Sequence, residues 1–278
     1  MKNPSNLIKN ITKFILGFMK RSIVLFDKWM SSSIVYCNDT YLFLNPHLKG
    51  SYKRNFIFDN YMNLINSIPE EYSNKNFSYV IDIGAHIGTF IVPFLNNKYT
   101  KKGIALEPMK ENIKYIKKSL NLNSITERLI LLEGAASNED FCVEIDIGPS
   151  STTSSIQSIG FHTIKKDGIN ISKRYRKSSS GSISIPGYSY KSIVSNMNSE
   201  EKSKYLLKLD AEGAEHLIFN DIIESESSPF TIIGELHPSD NYSIDTIINQ
   251  IKSNYSYSNF ISHPNGCYDF VCSSPKYQ

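Results

Sequence analysis

The chain has little of what usually betrays a class. It carries only four cysteines in 278 residues, and Cys37, Cys142, Cys267 and Cys272 form no CxxC pair. That excludes a cysteine-framed metal site and a disulfide scaffold, and it fits free thiols in a reducing compartment. Charge of one sign is also scarce, with a formal net charge of +3 and a pI near 8.5. So mild a balance makes nucleic acid an unexpected partner. No stretch of about 20 nearly uncharged apolar residues reads as a membrane span. A GxGxxG turn is missing too, which argues against an NAD-dependent oxidoreductase on a dinucleotide-binding sheet. What is present is ordinary: 40% hydrophobic and 21% charged residues, enough for one large core or one core plus an appendage.

Residues 1–75 read as an N-terminal accessory region and residues 76–278 as the main domain. In LIKNITKFILGFMKRSIVLFDKWM (Leu7 to Met30), Leu7, Ile11, Phe14, Ile15, Phe18 and Met19 share one helical face, interrupted by Lys9, Lys13, Lys20 and Arg21. No small-residue cleavage site follows a clean apolar core, so a signal peptide is not expected. Residues 7–30 are expected to dock on the protein itself or a second subunit. Peripheral membrane contact is the sharper alternative, in an otherwise cytoplasmic protein. SIVYCNDTYLFLNP then reads as a β ribbon turning at Asn38 and Asp39.

From Tyr79 onward strand and helix signals alternate, which predicts an α/β fold with a doubly wound, mainly parallel sheet. Its strands are expected at FSYVIDI, GIALEP, RLILLEGAA, YLLKLDAEG and FTIIGELHP, with FCVEIDIG as a further short one. YSYSNFIS and CYDFVCSS flank HPNG and predict a C-terminal antiparallel hairpin. Residues 149–186 are Ser-rich and basic and break this rhythm; Lys165, Lys166, Lys173, Arg174, Arg176 and Lys177 suit an acidic substrate or a solvated loop.

Ligand groups in such a sheet come from the C-terminal ends of strands. VIDIGAHIGTF puts Asp82, Gly84, His86 and Gly88 where a strand turns into a helix, and glycines there let backbone approach a ligand closely. With the third glycine absent, the better fit is a nucleoside with a charged amino-acid tail, S-adenosylmethionine, whose ammonium or ordered water Asp82 would hold. Glu107, at the next strand tip, suits the ribose hydroxyls, and the small Gly134, Ala135 and Ala136 suit an adenine face. The last two strand ends gather Asp210, Glu212 and Glu215, then Glu235 and His237. His237 has the ordinary pKa for taking a proton from a hydroxyl acceptor. Glu215 is expected only to complement a helix dipole. Asp210, Glu212, Glu235 and His237 are adequate ligands for a divalent ion, although no short spacing singles it out.

In order and approximate spacing, VIDIGAHIGTF, ALEPMKENIKYI, LLEGAASNED, PSSTTSSI, LLKLDAEGAEHLIF and IIGELHP resemble the FkbM-type S-adenosylmethionine-dependent methyltransferases. The resemblance spans about residues 76 to 272, and LKLDAEGAE is its most specific element. It implies a class I methyltransferase fold for residues 76–278 and, most often, O-methylation of a sugar or natural-product hydroxyl on a small molecule, glycan or glycolipid. Carried over by position, Asp82 and Gly84 line the methionine end, Glu107 the ribose, Ala135 the adenine side, and Asp210 with Glu212 the active-site floor. Two departures stand out: His86 replaces a usual asparagine, and Tyr188 to Lys191 replace Thr-Leu-Asp. A rival expectation is a degenerate methyltransferase fold acting as a scaffold, against which Asp82, Glu107 and Asp210 weigh.

Overall fold

The computed structural model describes residues 24–27, 32–44, 55–73, 76–138, 140–147, 161–166, 169–170, 181–225, 227–238 and 242–276. Strands β1 (Val24–Asp27), β2 (Ser32–Cys37) and β3 (Thr40–Leu44) form an antiparallel ribbon in that order. Asn38 and Asp39 turn it with φ of 47° and 55°, the left-handed pair that matches the twist of the flanking strands. Most of the amphipathic segment at residues 7–30 lies outside the described residues. Its described part, Val24–Asp27, is a strand and not the continuation of a helix, because its backbone is satisfied by the ladder to Ser32–Val35.

Helix α1 (Asn55–Asn66) delivers Phe58, Tyr61, Leu64 and Ile65 into one apolar cluster with Phe43, Phe90, Ile91 and Phe94. The ribbon is tied to the same body, since Phe43 N–H donates to Ser119 Oγ at 2.9 Å.

Strand β4 (Tyr79–Ile83) leads through the glycine turn to α2 (Ile91–Asn96), followed by β5 (Gly103–Glu107), α3 (Lys110–Leu122) and β6 (Leu129–Glu133). The long strand expected over Arg128 to Ala136 breaks at Gly134, where any Cβ would meet Pro186 O at 2.4 Å. Beyond the break, β7 (Ala135–Ala136), β8 (Cys142–Ile147), β9 (Phe161–Lys166), β10 (Ile169–Asn170) and β11 (Gly181–Tyr188) build a second sheet, ordered β10-β9-β8-β11-β7. FCVEIDIG is therefore a strand, but of this ribbon, because its ladder partner is β11. Residues 148–160, 167–168 and 171–180, with the serine run and Lys173 to Lys177, lie outside the described residues.

After α4 (Tyr190–Ser195) and α5 (Ser199–Ser203) come β12 (Tyr205–Leu209), α6 (Glu215–Glu224), β13 (Thr231–Leu236), α7 (Ile244–Asn254), β14 (Tyr255–Ser262) and β15 (Tyr268–Pro275). The main sheet runs β14-β15-β13-β12-β4-β5-β6, with only β15 antiparallel to the rest. This is the doubly wound, mainly parallel sheet that the sequence leads one to expect, with its C-terminal antiparallel hairpin. Strands β4, β5 and β12 are buried at every position, as both faces of a parallel sheet are covered. Alternation sorts them: Val80, Ala105 and Leu206 face α1, α2 and α3, whereas Ile81, Ile104 and Leu207 face α4, α6 and α7. Among the described residues no helix is long and apolar enough to cross a membrane.

Candidate active site at the strand tips

The pairing of β12 with β4 sets Lys208 directly opposite Asp82. Both share the face of Val80 and Leu206, so a lysine and an aspartate are locked beneath α1. Lys208 Nζ lies 3.3 Å from Asp82 Oδ1 and 3.4 Å from Asp210 Oδ2, and it donates to Gly84 O at 2.8 Å. Burial pulls the ammonium down, but Asp82 and Asp210 outweigh it and hold Lys208 above its ordinary value, hence charged. Asp82 is wholly buried, and neither of its oxygens accepts a hydrogen bond. Its burial raises the carboxyl pKa while Lys208 opposes the shift; the ion pair is what makes a buried charge tolerable here. From α1, Tyr61 O–H donates to Asp210 Oδ2 at 3.2 Å, and its ring stands 5.7 Å from Lys208 Nζ.

The glycine turn is built against this pair. Gly84 has φ of +78°, and a Cβ there would sit 1.9 Å from Asp210 O, while Asp210 N–H donates to Ile83 O. The two strand-end turns are thus in backbone contact. His86 is left-handed at φ 53°, a conformation in which asparagine and histidine are both enriched. The departure from the usual asparagine therefore preserves the backbone. Gly88 follows with φ of 83°. His86 N–H donates to Glu107 Oε2 at 2.8 Å, and Glu107 Oε1 accepts from Met109 N–H and Asn112 Nδ2. Burial nevertheless pushes the Glu107 carboxyl up to about 7. Ala135 stands apart, packed with Val143 and Ile185 under the second sheet.

The other half of the site lies at the tips of β12 and β13. Asp210 ends β12, and a left-handed turn at Glu212 (φ 50°) and Gly213 (φ 106°) carries the chain into α6. His237, just past β13, presents Nε2 at 3.7 Å from Glu212 Oε2, 3.9 Å from Glu235 Oε1 and 4.0 Å from Asp210 Oδ1. Its Nδ1 is 3.0 Å from Glu215 Oε1. Burial disfavours the imidazolium, yet Glu215, Glu212 and Asp210 raise its pKa well above the ordinary value. Glu212 is pushed up to about 8, by burial first and by Asp210 and the other acids against the pull of His237. Asp210 is lowered instead, as Lys208 and His237 overcome its burial.

Glu215 corrects the expectation that it serves only the helix dipole. It is fully buried, accepts from Ala211 N–H and Gly213 N–H, receives Tyr242 O–H at 3.0 Å, and pairs with His237. The sequence reading also missed Lys208, Tyr61 and Tyr242. For Lys208 a signal existed: it is the one charge in YLLKL, an otherwise apolar strand. The ligand atoms of Asp210, Glu212 and His237 all lie within 4.8 Å of one another, as do those of Glu235, His237 and Cys267.

Several solved structures are similar to this chain. M. jannaschii TYW2 in complex with AdoMet shares 10% identity over 93% of this chain and 94% of its own, with a TM-score of 0.46. M. capricolum TrmK in complex with S-adenosyl-homocysteine shares 10% identity over 78% of this chain and 68% of its own, at 0.39. The B. subtilis M1A22 tRNA methyltransferase TrmK shares 8% over 78% and 67%, at 0.40. No curated protein matches the sequence. The profile of the methyltransferase FkbM domain matches residues 82–258, from the aspartate of the glycine turn into the C-terminal hairpin, and the chain therefore belongs to the FkbM family of S-adenosylmethionine-dependent methyltransferases.

Proposed function

We propose that this methyltransferase transfers the methyl group to a hydroxyl oxygen of a glycan, glycolipid or natural product. The observation that carries this reading is the His237 cluster, in which one imidazole and the carboxylates of Asp210, Glu212 and Glu235 converge within 4.0 Å of Nε2. A hydroxyl must lose its proton as it is methylated, and a cluster in which Lys208 and the imidazolium keep Asp210 ionised holds a carboxylate ready to take it.

The residues fit the cofactor. Asp82 has two carboxylate oxygens with no hydrogen bond beyond the 3.3 Å ion pair to Lys208, and Gly84 carries no side chain, which lets the backbone of its turn close directly on the Asp210 carbonyl. Asp82 and Gly84 would hold the methionine end, with His86 and Gly88 shaping the turn, Glu107 the ribose hydroxyls and Ala135 the adenine side. S-adenosylmethionine supplies a methyl on a sulfonium: the acceptor oxygen's pair forms the new O–C bond, and the C–S pair stays on sulfur.

The chain's own task is alignment and proton removal. Asp210, held by Lys208 and Tyr61, forms the floor between the two halves of the site. Glu215 fixes the imidazole through Nδ1, so Nε2 faces the acceptor. Asp210, Glu212 and His237 exchange protons as a unit, and this unit takes the acceptor's proton. The test is methyl transfer from labelled S-adenosylmethionine to hydroxylated glycans, with His237→Ala beside wild type. The variant should bind cofactor normally and lose about a hundredfold or more in turnover. Turnover at the wild-type rate, or a methylated nitrogen or sulfur in the product, would overturn the assignment.

A further inference from the structure

The mixed cluster at the tips of β12 and β13 has features that proton transfer alone does not require. Asp82, Asp210, Glu212, Glu215 and Glu235 crowd one region, and the cationic side chains facing them are Lys208 and His237. Lys208 is consumed by Asp82, Asp210 and Gly84 O. Among the described residues the imidazole is thus the one cationic group, beside Lys208 at Asp210, that faces the acids around Nε2.

Two independent geometries point to what would balance these acids. Nε2 stands 3.7 to 4.0 Å from three carboxylate oxygens, beyond hydrogen-bond length. Yet the ligand atoms of Asp210, Glu212 and His237 all fall within 4.8 Å of one another, the separation allowed to ligands of one ion at about 2.0 to 2.5 Å. Separately, the imidazole is anchored from behind. Its Nδ1 is held by Glu215, which is itself fully buried and fixed by Ala211 N–H, Gly213 N–H and Tyr242 O–H. A carboxylate on the far nitrogen is how a metal-binding histidine is oriented and kept basic. With only 13% of its side chain exposed, His237 has Nε2 left to offer, and it is aimed at the acids.

We propose that Asp210, Glu212 and His237 Nε2 bind a divalent cation, with Glu235 beside them, and that the acceptor reaches the cofactor as a ligand of that ion. Three protein ligands leave neighbouring positions open on a six-coordinate ion. The acceptor class this favours has a second oxygen next to the methylated hydroxyl, as in a vicinal diol. The ion makes the hydroxyl more acidic, and because Asp210, Glu212 and His237 are then held by the ion, the proton passes to Glu235, whose Oε1 lies 3.9 Å from Nε2. One imidazole among carboxylates suits Mn2+ or Mg2+ better than a soft ion. This inference rests on the hydroxyl-transfer reading for its acceptor, but not for the ion.

The experiment is a titration of chelator-stripped, full-length protein with Mn2+, followed by electron paramagnetic resonance without cofactor, while S-adenosylmethionine binding is measured separately by calorimetry. Wild type should take up a single Mn2+, and Glu212→Gln and His237→Ala should each weaken it at least about tenfold. Glu71→Gln, on the surface, should bind like wild type. Circular dichroism of the metal-free variants checks that each is folded; Glu212 lies in a part-exposed turn, so its variant should be. No stoichiometric uptake by wild type, or unchanged uptake in both site variants, would overturn the ion site and leave cofactor binding untouched. Uptake as expected, with no faster methylation of vicinal diols than of isolated hydroxyls, would overturn the acceptor class.

Discussion

Glu107 shows how a single residue is left in a costly state by the fold. It accepts three hydrogen bonds, from His86, Met109 and Asn112, and burial still raises its carboxyl from 4.5 to about 7. A raised folded-state pKa means the protonated form is favoured in the fold. The stabilisation is complete below the unfolded value and is lost as the pH rises through the folded one. This group alone should remove about 3 kcal/mol of stability between about pH 4.5 and about pH 7. Urea unfolding across that range, compared with Glu107→Gln, checks it: the variant should lose this part of the slope, whatever its absolute stability. A slope identical in both proteins would show that Glu107 is ionised without strain.

Among the elements, the two turns after β4 and β12 behave as one piece because their backbones touch. A Cβ at Gly84 would lie 1.9 Å from Asp210 O, and φ is +78°; neither the space nor the backbone admits a side chain. Gly84→Ala should therefore cost about 3 kcal/mol or more in denaturant unfolding and abolish cofactor binding by pushing the turns apart. Gly266→Ala makes a useful contrast: its Cβ would sit 3.3 Å from the side-chain atom Pro238 Cγ, and the cost should be about 1 kcal/mol. Equal losses in the two variants would contradict the close approach. The strand tips themselves were legible in the sequence, since buried runs ending in Asp82, Glu107 and Asp210 announce where a parallel sheet presents its ligands. The break at Gly134 was not, because it depends on Pro186 and Tyr188 arriving from a strand some fifty residues later.

At the scale of the molecule, the site is assembled from segments that sequence patterns treat as separate. Tyr61 reaches Asp210 across 149 residues, from a helix in the region read as accessory, and it lies in the same apolar cluster as the glycine-turn residues Ala85 and Ile87. The contacts of Glu215 were hidden for the same reason: its partners His237 and Tyr242 come from the far side of β13, so only the dipole was visible locally. His237, Asp210 and Glu212 could be picked out because each ends a strand or opens a turn, which is a local property. The proposed function divides the site into a cofactor half at β4 and β5 and an acceptor half at β12 and β13, with Lys208 and Asp210 between them.

Calorimetric titration of S-adenosylmethionine into wild type, Asp82→Asn and His237→Ala tests that division most directly. The account predicts saturable binding by wild type, binding of similar strength by His237→Ala, and loss of binding in a folded Asp82→Asn. No binding by wild type, or equal binding by all three, would contradict it.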